Sequence, residues 1–288
     1  VRKWAKVSID LMTRRFSMPE VEYILGHSEA ELRRLAFQAS ILKPITVRLL
    51  REAGIAPGMR VLDIGSGSGD VAMLAADLVG PEGTVVGVDR SHEALTVARE
   101  RAELWGHTNI AFVEGAVEDL ADRTDFDLAI GRYVLIHQAN PAAMIRAAAE
   151  HVRPGGTVAF HEIGLYGEPQ SLPPVPLWTE VLGWIIEALS SVMAHPDAGG
   201  RMMTHFRDAG LPPPQMFCEV PVGGGHECAH YAWLVLSVRN LLPQMEKIGL
   251  ATAEQVDIDT LEDRLSEAVA AARAQVLGPM QFCGWSRC

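Results

Sequence analysis

Apolar and polar positions change rhythm twice along the 288-residue chain. Residues 29–53 (EAELRRLAFQASILKPITVRLLREA) carry apolar side chains at helical spacing, with Pro44 marking a break or kink. Gly54 and Pro57-Gly58 end that helix. Short apolar runs then alternate with helix-periodic segments. The pattern predicts strands at Arg60–Ile64, Thr84–Asp89, Ile110–Glu114, Asp127–Gly131 and Thr157–Glu162. It predicts helices at Gly69–Leu78, His92–Leu104 and Pro141–His151, and a turn at Pro154-Gly155-Gly156. Such alternation calls for a doubly wound α/β fold, a mostly parallel sheet with helices on both faces. Ligands of these sheets gather at the carboxyl ends of the strands.

After residue 162 the rhythm changes. GLYGEPQSLPPVP is rich in Pro and Gly, and Leu177–Met193 is a mostly apolar helix. Helices are expected at Gly200–Gly210, 227–248 and 259–276, and strands at Met216–Val222 and Phe282–Arg287. The expected organisation is an N-terminal helical lid segment (1–54), a ligand-binding core (55–165), and helical cap insertions with the remaining strands (166–288). No internal repeat or low-complexity segment is visible.

Charge narrows the partners. The net charge of −11 argues against a nucleic-acid substrate, which favours a basic face. No apolar run approaches the ~18–20 residues of a membrane span, and VRKWAKVSIDL lacks the unbroken apolar block of a signal peptide. Cys218, Cys228, Cys283 and Cys288 match no paired-ligand spacing, as expected of a reduced, cytoplasmic chain.

Residues 60–70, RVLDIGSGSGD, place three glycines directly after a strand. A P-loop needs Gly-Lys-Ser/Thr, and no lysine follows Gly69. A dinucleotide fingerprint is G-x-G-x-x-G; here Asp70 holds the place of the third glycine, where a negative charge disfavours a pyrophosphate. The spacing instead resembles the class I S-adenosylmethionine-dependent methyltransferases, over roughly residues 55–165. Five blocks carry the resemblance in order: VLDIGSGSG, GVDRS (87–91), FVEGAVEDL (112–120), DLAIGRYVLIH (127–137) and VRPGGTVAFHE (152–162).

The resemblance implies a Rossmann-like fold that binds S-adenosyl-L-methionine and releases S-adenosyl-L-homocysteine. Gly65, Gly67 and Gly69 would admit the amino-acid end, with Asp63 ordering the loop. Asp89, beside Arg90, can accept both ribose hydroxyl protons as a charge-assisted pair; its other reading is a cap for the next helix, a task Ser91 can share. Backbone at Ala116 and Val117 would meet the adenine, and backbone near Gly131 and Arg132 the methionine end. One departure stands out: where this family often has Gly-Asp-Ala, the chain has Gly115-Ala116-Val117. The adenine amine then needs another partner, Glu118 or water.

Candidates for chemistry follow from position. His161 and Glu162 close the fifth strand at the expected substrate edge, and His137 follows the fourth; each is a candidate base, charge stabiliser or packed polar residue. Tyr23 precedes the first helix, where it can contact ligand or anchor the helix. Residues 226–230 spell HECAH, a literal match to the H-E-x-x-H zinc motif. It follows three glycines in a presumed insert, and the metzincin continuation is missing, so no metal is expected. The expected activity is methyl transfer to a small, aromatic or heteroaromatic metabolite, at oxygen, carbon or nitrogen. A non-methylating ligand-binding protein on the same fold is the alternative, and a zinc hydrolase a remote one. Trp178, Trp184, Met193, Met202, Met203, Phe206 and Trp233 lie in the cap region, where two or three of them are expected to line an apolar pocket.

Overall fold

The computed structural model describes residues 29–120, 125–165 and 170–288. Its helices are α1 (Glu29–Glu52), α2 (Asp70–Val79), α3 (His92–Leu104), α4 (Pro141–Glu150), α5 (Pro176–Ser190), α6 (Met202–Asp208), α7 (Ala229–Lys247), α8 (Ala253–Val256) and α9 (Leu261–Ala272). Its strands are β1 (Arg60–Ile64), β2 (Thr84–Asp89), β3 (Ile110–Glu114), β4 (Phe126–Arg132), β5 (Val152–Ile163), β6 (Ser171–Leu172), β7 (Gln215–Glu219), β8 (Val222–Gly224), β9 (Gln275–Leu277) and β10 (Gln281–Arg287).

Seven strands form one sheet in the order β3-β2-β1-β4-β5-β10-β7. The β3-β2-β1-β4-β5 ladders are parallel, and β10 runs antiparallel between β5 and β7. The order reverses between β1 and β4, which opens a crevice at their carboxyl ends. Strand alternation divides β1 between two cores. Leu62 and Ile64 join the cluster beneath α4 and α6, while Val61 joins the cluster beneath α1 and α2. A third cluster, built from α5, α7 and α9, forms the cap. No helix among the described residues is long and apolar enough to cross a membrane.

The structure departs from the sequence pattern at identifiable places. Helix α1 runs unbroken through Pro44. Leu42, Ile45, Leu49 and Leu50 around it are buried, and their packing outweighs the roughly 3 kcal/mol that an interior proline costs. Strand β5 starts at Val152, earlier than expected. The Pro-Gly-Gly turn lies inside it, where its register with β4 shifts. The end of the chain pins that irregularity: Gly155 N donates to Cys288 O and Cys288 N to Gly156 O, at 2.8 and 2.9 Å. The end of the helix expected at 259–276 is instead strand: Gln275–Leu277 form β9 in a small sheet of order β6-β9-β8 that the pattern did not show. Tyr23 lies outside the described residues.

Gly131 shows how tightly the β4–β5 seam is built. A Cβ there would stand 2.7 Å from Cε1 of Phe160, a ring with no exposed surface. Gly131→Ala should therefore destabilise the fold by about 1–3 kcal/mol through overpacking. Urea titration checks this, and an unchanged midpoint would contradict the packing described.

Candidate active site

The glycine loop sits at the carboxyl end of β1. Gly65, Gly67 and Gly69 all adopt left-handed backbone, with φ of 63°, 50° and 83°, which side chains rarely tolerate. A Cβ at Gly65 would lie 2.8 Å from Val134, and one at Gly69 3.0 Å from Phe112, whereas one at Gly67 would meet nothing within 4 Å. The outer glycines thus serve turn and packing, and the middle one leaves open space beside the cavity it lines.

Asp89 fastens this loop. Gly67 N donates to its Oδ2 and Ser91 N to its Oδ1, both at 2.8 Å. Ser91 caps α3 by accepting from Ala94 N, so the capping role belongs to Ser91. Each Asp89 oxygen keeps a lone pair for a further donor, and Asp89 lines the cavity. Two arginines brace the loop from below, one of them absent from the sequence reading. Arg101, the one it missed, donates to Ser68 O and to Asp70 Oδ1, each at 2.7 Å. Arg132 approaches Asp70 Oδ2 at 3.9 Å. Nothing local in the sequence marks Arg101, which acts across 31 residues.

Asp63 is buried, and burial pushes its carboxyl up to about 8 despite the opposing charge of Arg132. Its Oδ2 has no partner. The loop after β4 is held more fully. Tyr133 sits at φ 58°, its amide donates to His161 O at 2.8 Å, and its hydroxyl donates to Gln281 Oε1 at 2.6 Å. Burial raises the phenol's pKa further above its ordinary value.

His161 and Glu162 point to opposite sides of the sheet, and neither lines the cavity; both have 0% exposure. That corrects their candidacy as base or charge stabiliser at the substrate edge and leaves the reading as packed polar residues. His161 Nε2 lies 3.1 Å from Gln281 Oε1 and Nδ1 3.1 Å from Thr46 Oγ1. Gln281 Nε2 donates to Pro279 O, so its oxygen faces His161 and Nε2 carries the imidazole proton. Burial pulls His161 down to about 3. Glu162 Oε1 accepts from Val134 N and Leu135 N, at 2.9 and 2.7 Å. Burial pushes its carboxyl up to about 8, against the pull of those amides. Both residues position the loop that carries Arg132 and Tyr133.

A cavity of about 1910 Å³ spans the carboxyl edge. Its polar half holds the glycine loop, Asp89, Arg90, Ala116 and Val117, with Glu118 and Asp119 beside them. Those two carboxylates are available to an adenine amine in place of the missing aspartate. Arg132 and His137 also line it, and burial lowers His137 to about 4. Asp63, Gly69 and Gly131 brace the site without lining it. The cap contributes Leu182, Ile185, Leu189, Met193 and Trp233. Of the other cap candidates, Trp178, Met202 and Phe206 are fully buried in the cores, Trp184 packs on the cap core, and Met203 is 47% exposed.

The HECAH segment does not form a helical zinc motif. His226 and Glu227 lie in a turn before α7, and only His230 is within the helix. His230 Nδ1 is 3.3 Å from Cys228 Sγ. Among the described residues, no three His, Cys, Asp or Glu side chains converge as metal ligands.

Fold and site together define a nucleoside-binding transferase built at the switch point of a doubly wound sheet. Residues 55–196 match the family model described as a methyltransferase domain, and this segment is a class I S-adenosylmethionine-dependent methyltransferase domain. It is similar to an arsenite methyltransferase of Aquipseudomonas alcaligenes, 36% identical over 37% of this chain and 33% of that protein. It is also similar to a ubiquinone biosynthesis O-methyltransferase of Paracidovorax citrulli, 38% identical over 38% of this chain and 47% of that protein. The matched segment thus spans a third to a half of these relatives' length. The crystal structure of a Bacillus halodurans protein, proposed to be a methyltransferase, shares the fold with TM-score 0.56. It is 18% identical, over 84% of this chain and 97% of that one.

Two outcomes follow from this geometry. Asp89→Ala should weaken S-adenosylhomocysteine binding by roughly 2–4 kcal/mol, the scale of losing charged hydrogen bonds; unchanged calorimetric affinity in a folded variant would confine Asp89 to holding the loop. Glu162 gives a pH signature. Its folded pKa of about 8 exceeds the unfolded 4.5, so its stability contribution is full below pH ~4.5 and is lost as pH rises through ~8. Asp63, also raised to about 8, adds the same slope. His161, lowered to about 3, contributes stability above pH ~6.5 that is lost as pH falls through ~3. Glu162→Gln keeps an amide oxygen for Val134 and Leu135. Urea midpoints measured between pH 5 and 8 should fall less steeply for this variant than for the parent chain; equal slopes would show that Glu162 is ionised in the fold.

Proposed function

We propose that the protein transfers a methyl group to a small, planar aromatic or heteroaromatic metabolite. One observation carries this reading: a single cavity joins the glycine loop and Asp89 to an apolar wall from the cap. Apolar walls with a few placed polar groups suit a flat organic molecule. S-adenosyl-L-methionine, when bound, supplies a methyl already activated on a sulfonium. The chain's own residues then have three tasks. Asp89 and the loop amides it fixes hold the nucleoside. The braced segment Arg132–Val134 sets the orientation of the reacting ends, and such orientation contributes on the order of 7–11 kcal/mol. The cap helices α5 and α7 exclude water from the apolar half.

Among the described residues, His137 is the one histidine lining the cavity. Its low pKa of about 4 keeps it neutral at pH 7, able to accept a proton from an acceptor hydroxyl. Of the two histidines considered for the base role, His137 is the one this reading keeps, while a ring-carbon or neutral nitrogen acceptor needs no base before attack.

Incubation with methyl-labelled cofactor and a panel of phenols, indoles and amines tests the reading, with NMR of the product locating the methyl. Labelled product is expected; cofactor binding without transfer to any of them would favour a non-methylating role. For an oxygen product, His137→Ala should lower turnover by about 10²–10⁴-fold, less at high pH where the substrate ionises unaided. Full turnover in that variant would remove His137 from the chemistry.

A further inference from the structure

The HECAH segment leaves two of its residues in contact once its zinc reading has failed. Cys228 Sγ lies 3.3 Å from His230 Nδ1, at the start of α7 and just after β8. The contact has local causes. Cys228 is the N-cap of α7, a helix of 19 residues, and its side chain makes no cap bond to the helix amides. It turns instead to the imidazole two residues on. Gly223 of β8 makes the room: a Cβ there would stand 2.7 Å from His230 Nδ1 and closer still to Cys228 Sγ.

The surroundings of the two side chains are complementary. His230 is 6% exposed. Its ring lies T-shaped against Trp233, with centroids 6.3 Å apart, and tilted against Trp178 at 6.4 Å. Nδ1 faces the sulfur, while Nε2 faces Gly278 and has no partner. Burial lowers the imidazole's pKa, so at pH 7 the ring is neutral and can take a thiol proton. Tyr231, the next residue, does not compete for that proton: its hydroxyl donates to Gly225 O at 2.8 Å. Cys228 itself is half-buried, with residues 224–227 and Ala229 around it exposed. A thiol attacks as its thiolate, and a helix N-terminus and a neighbouring histidine both favour that form. The other cysteines are placed differently. Burial raises the thiol pKa of Cys218, Cys283 and Cys288, which holds back their thiolates.

We propose that Cys228 and His230 form a nucleophilic thiol–imidazole pair that takes up low-molecular-weight disulfides as a mixed disulfide, a reversible modification site on the cap. The Sγ proton passes to His230 Nδ1 as Sγ bonds to one sulfur of the incoming disulfide. The disulfide's own S–S bond breaks, and the departing thiolate recovers the proton from Nδ1. A small thiol in excess reverses the exchange. Neither residue lines the cavity, but the His230 ring meets Trp233, which does. The pair thus adjoins the cap wall without belonging to the site, and the inference does not depend on the methyl-transfer reading.

The test uses bis(hydroxyethyl) disulfide, an uncharged probe that the net charge of −11 does not repel. The full chain, reduced and then freed of reductant, is incubated with it, and peptide mass spectrometry follows each cysteine over time. Cys228 should form the adduct about 10-fold or more faster than Cys218, Cys283 or Cys288, and dithiothreitol should remove it. Cys228→Ser, which puts a favoured cap residue at the start of α7, should leave only the slow reaction of the other three. His230→Gln should slow the reaction at Cys228 by roughly 10–100-fold. The order of reaction in the parent chain needs no variant, so it decides the matter should His230→Gln not fold. Equal or faster reaction at another cysteine would overturn the inference. An unchanged rate at Cys228 in folded His230→Gln would do so too, since the thiol would then be accessible but not activated.

Discussion

The site depends on one carboxylate. Asp89 accepts the amides of Gly67 and Ser91, and so ties the turn after β1 to the start of α3. Three left-handed glycines at alternate positions would otherwise leave that turn with many accessible conformations. Charge-assisted bonds to backbone are among the stronger single contacts available, and here they fix a ligand-facing surface instead of a core. Arg101 completes the arrangement by holding Ser68 O and Asp70 together. The loop's shape is therefore set before any ligand arrives, which lowers the ordering cost of binding.

A second layer of buried polar groups performs the same service for the loop after β4. Thr46, His161, Gln281 and Tyr133 form a chain of hydrogen bonds that joins α1, β5, β10 and the β4 loop. Glu162 holds the same loop from the other side of the sheet. Tyr133 has an unfavourable left-handed backbone, and such strain persists only when neighbours over-determine it. The price of these buried ionisable groups is visible in the direction of their pKa values: the carboxyl of Glu162 rises and the imidazole of His161 falls, each toward its neutral form.

Where local pattern controls structure, the sequence was sufficient. β1, β2, β3 and α3 begin and end at the residues their periodicity and capping groups indicate. The glycine spacing and Asp89 disclosed the kind of ligand for the same reason, since both act within a contiguous strand–loop–helix unit. The misses all depend on distant partners. The β6-β9-β8 sheet pairs segments of two or three residues that lie about 100 residues apart for β6 and β9 and about 50 for β8 and β9. The end of β5 was expected to face substrate, but Thr46 lies 115 residues before His161 and Gln281 lies 120 after it. Those two residues close over the imidazole, and no strand-end pattern predicts them. HECAH failed for a related reason: α7 starts after the first histidine and the glutamate, so the motif's helical spacing is never realised.

The central claim is that a preformed loop and the Asp89 carboxylate select a nucleoside bearing a free ribose diol and an amino-acid tail, and refuse a pyrophosphate. Calorimetric titration of the full chain with S-adenosylmethionine, S-adenosylhomocysteine and NAD tests this most directly. The account predicts saturable binding of the first two at one per chain and none of the third. Tighter binding of NAD than of either sulfur nucleoside would contradict it.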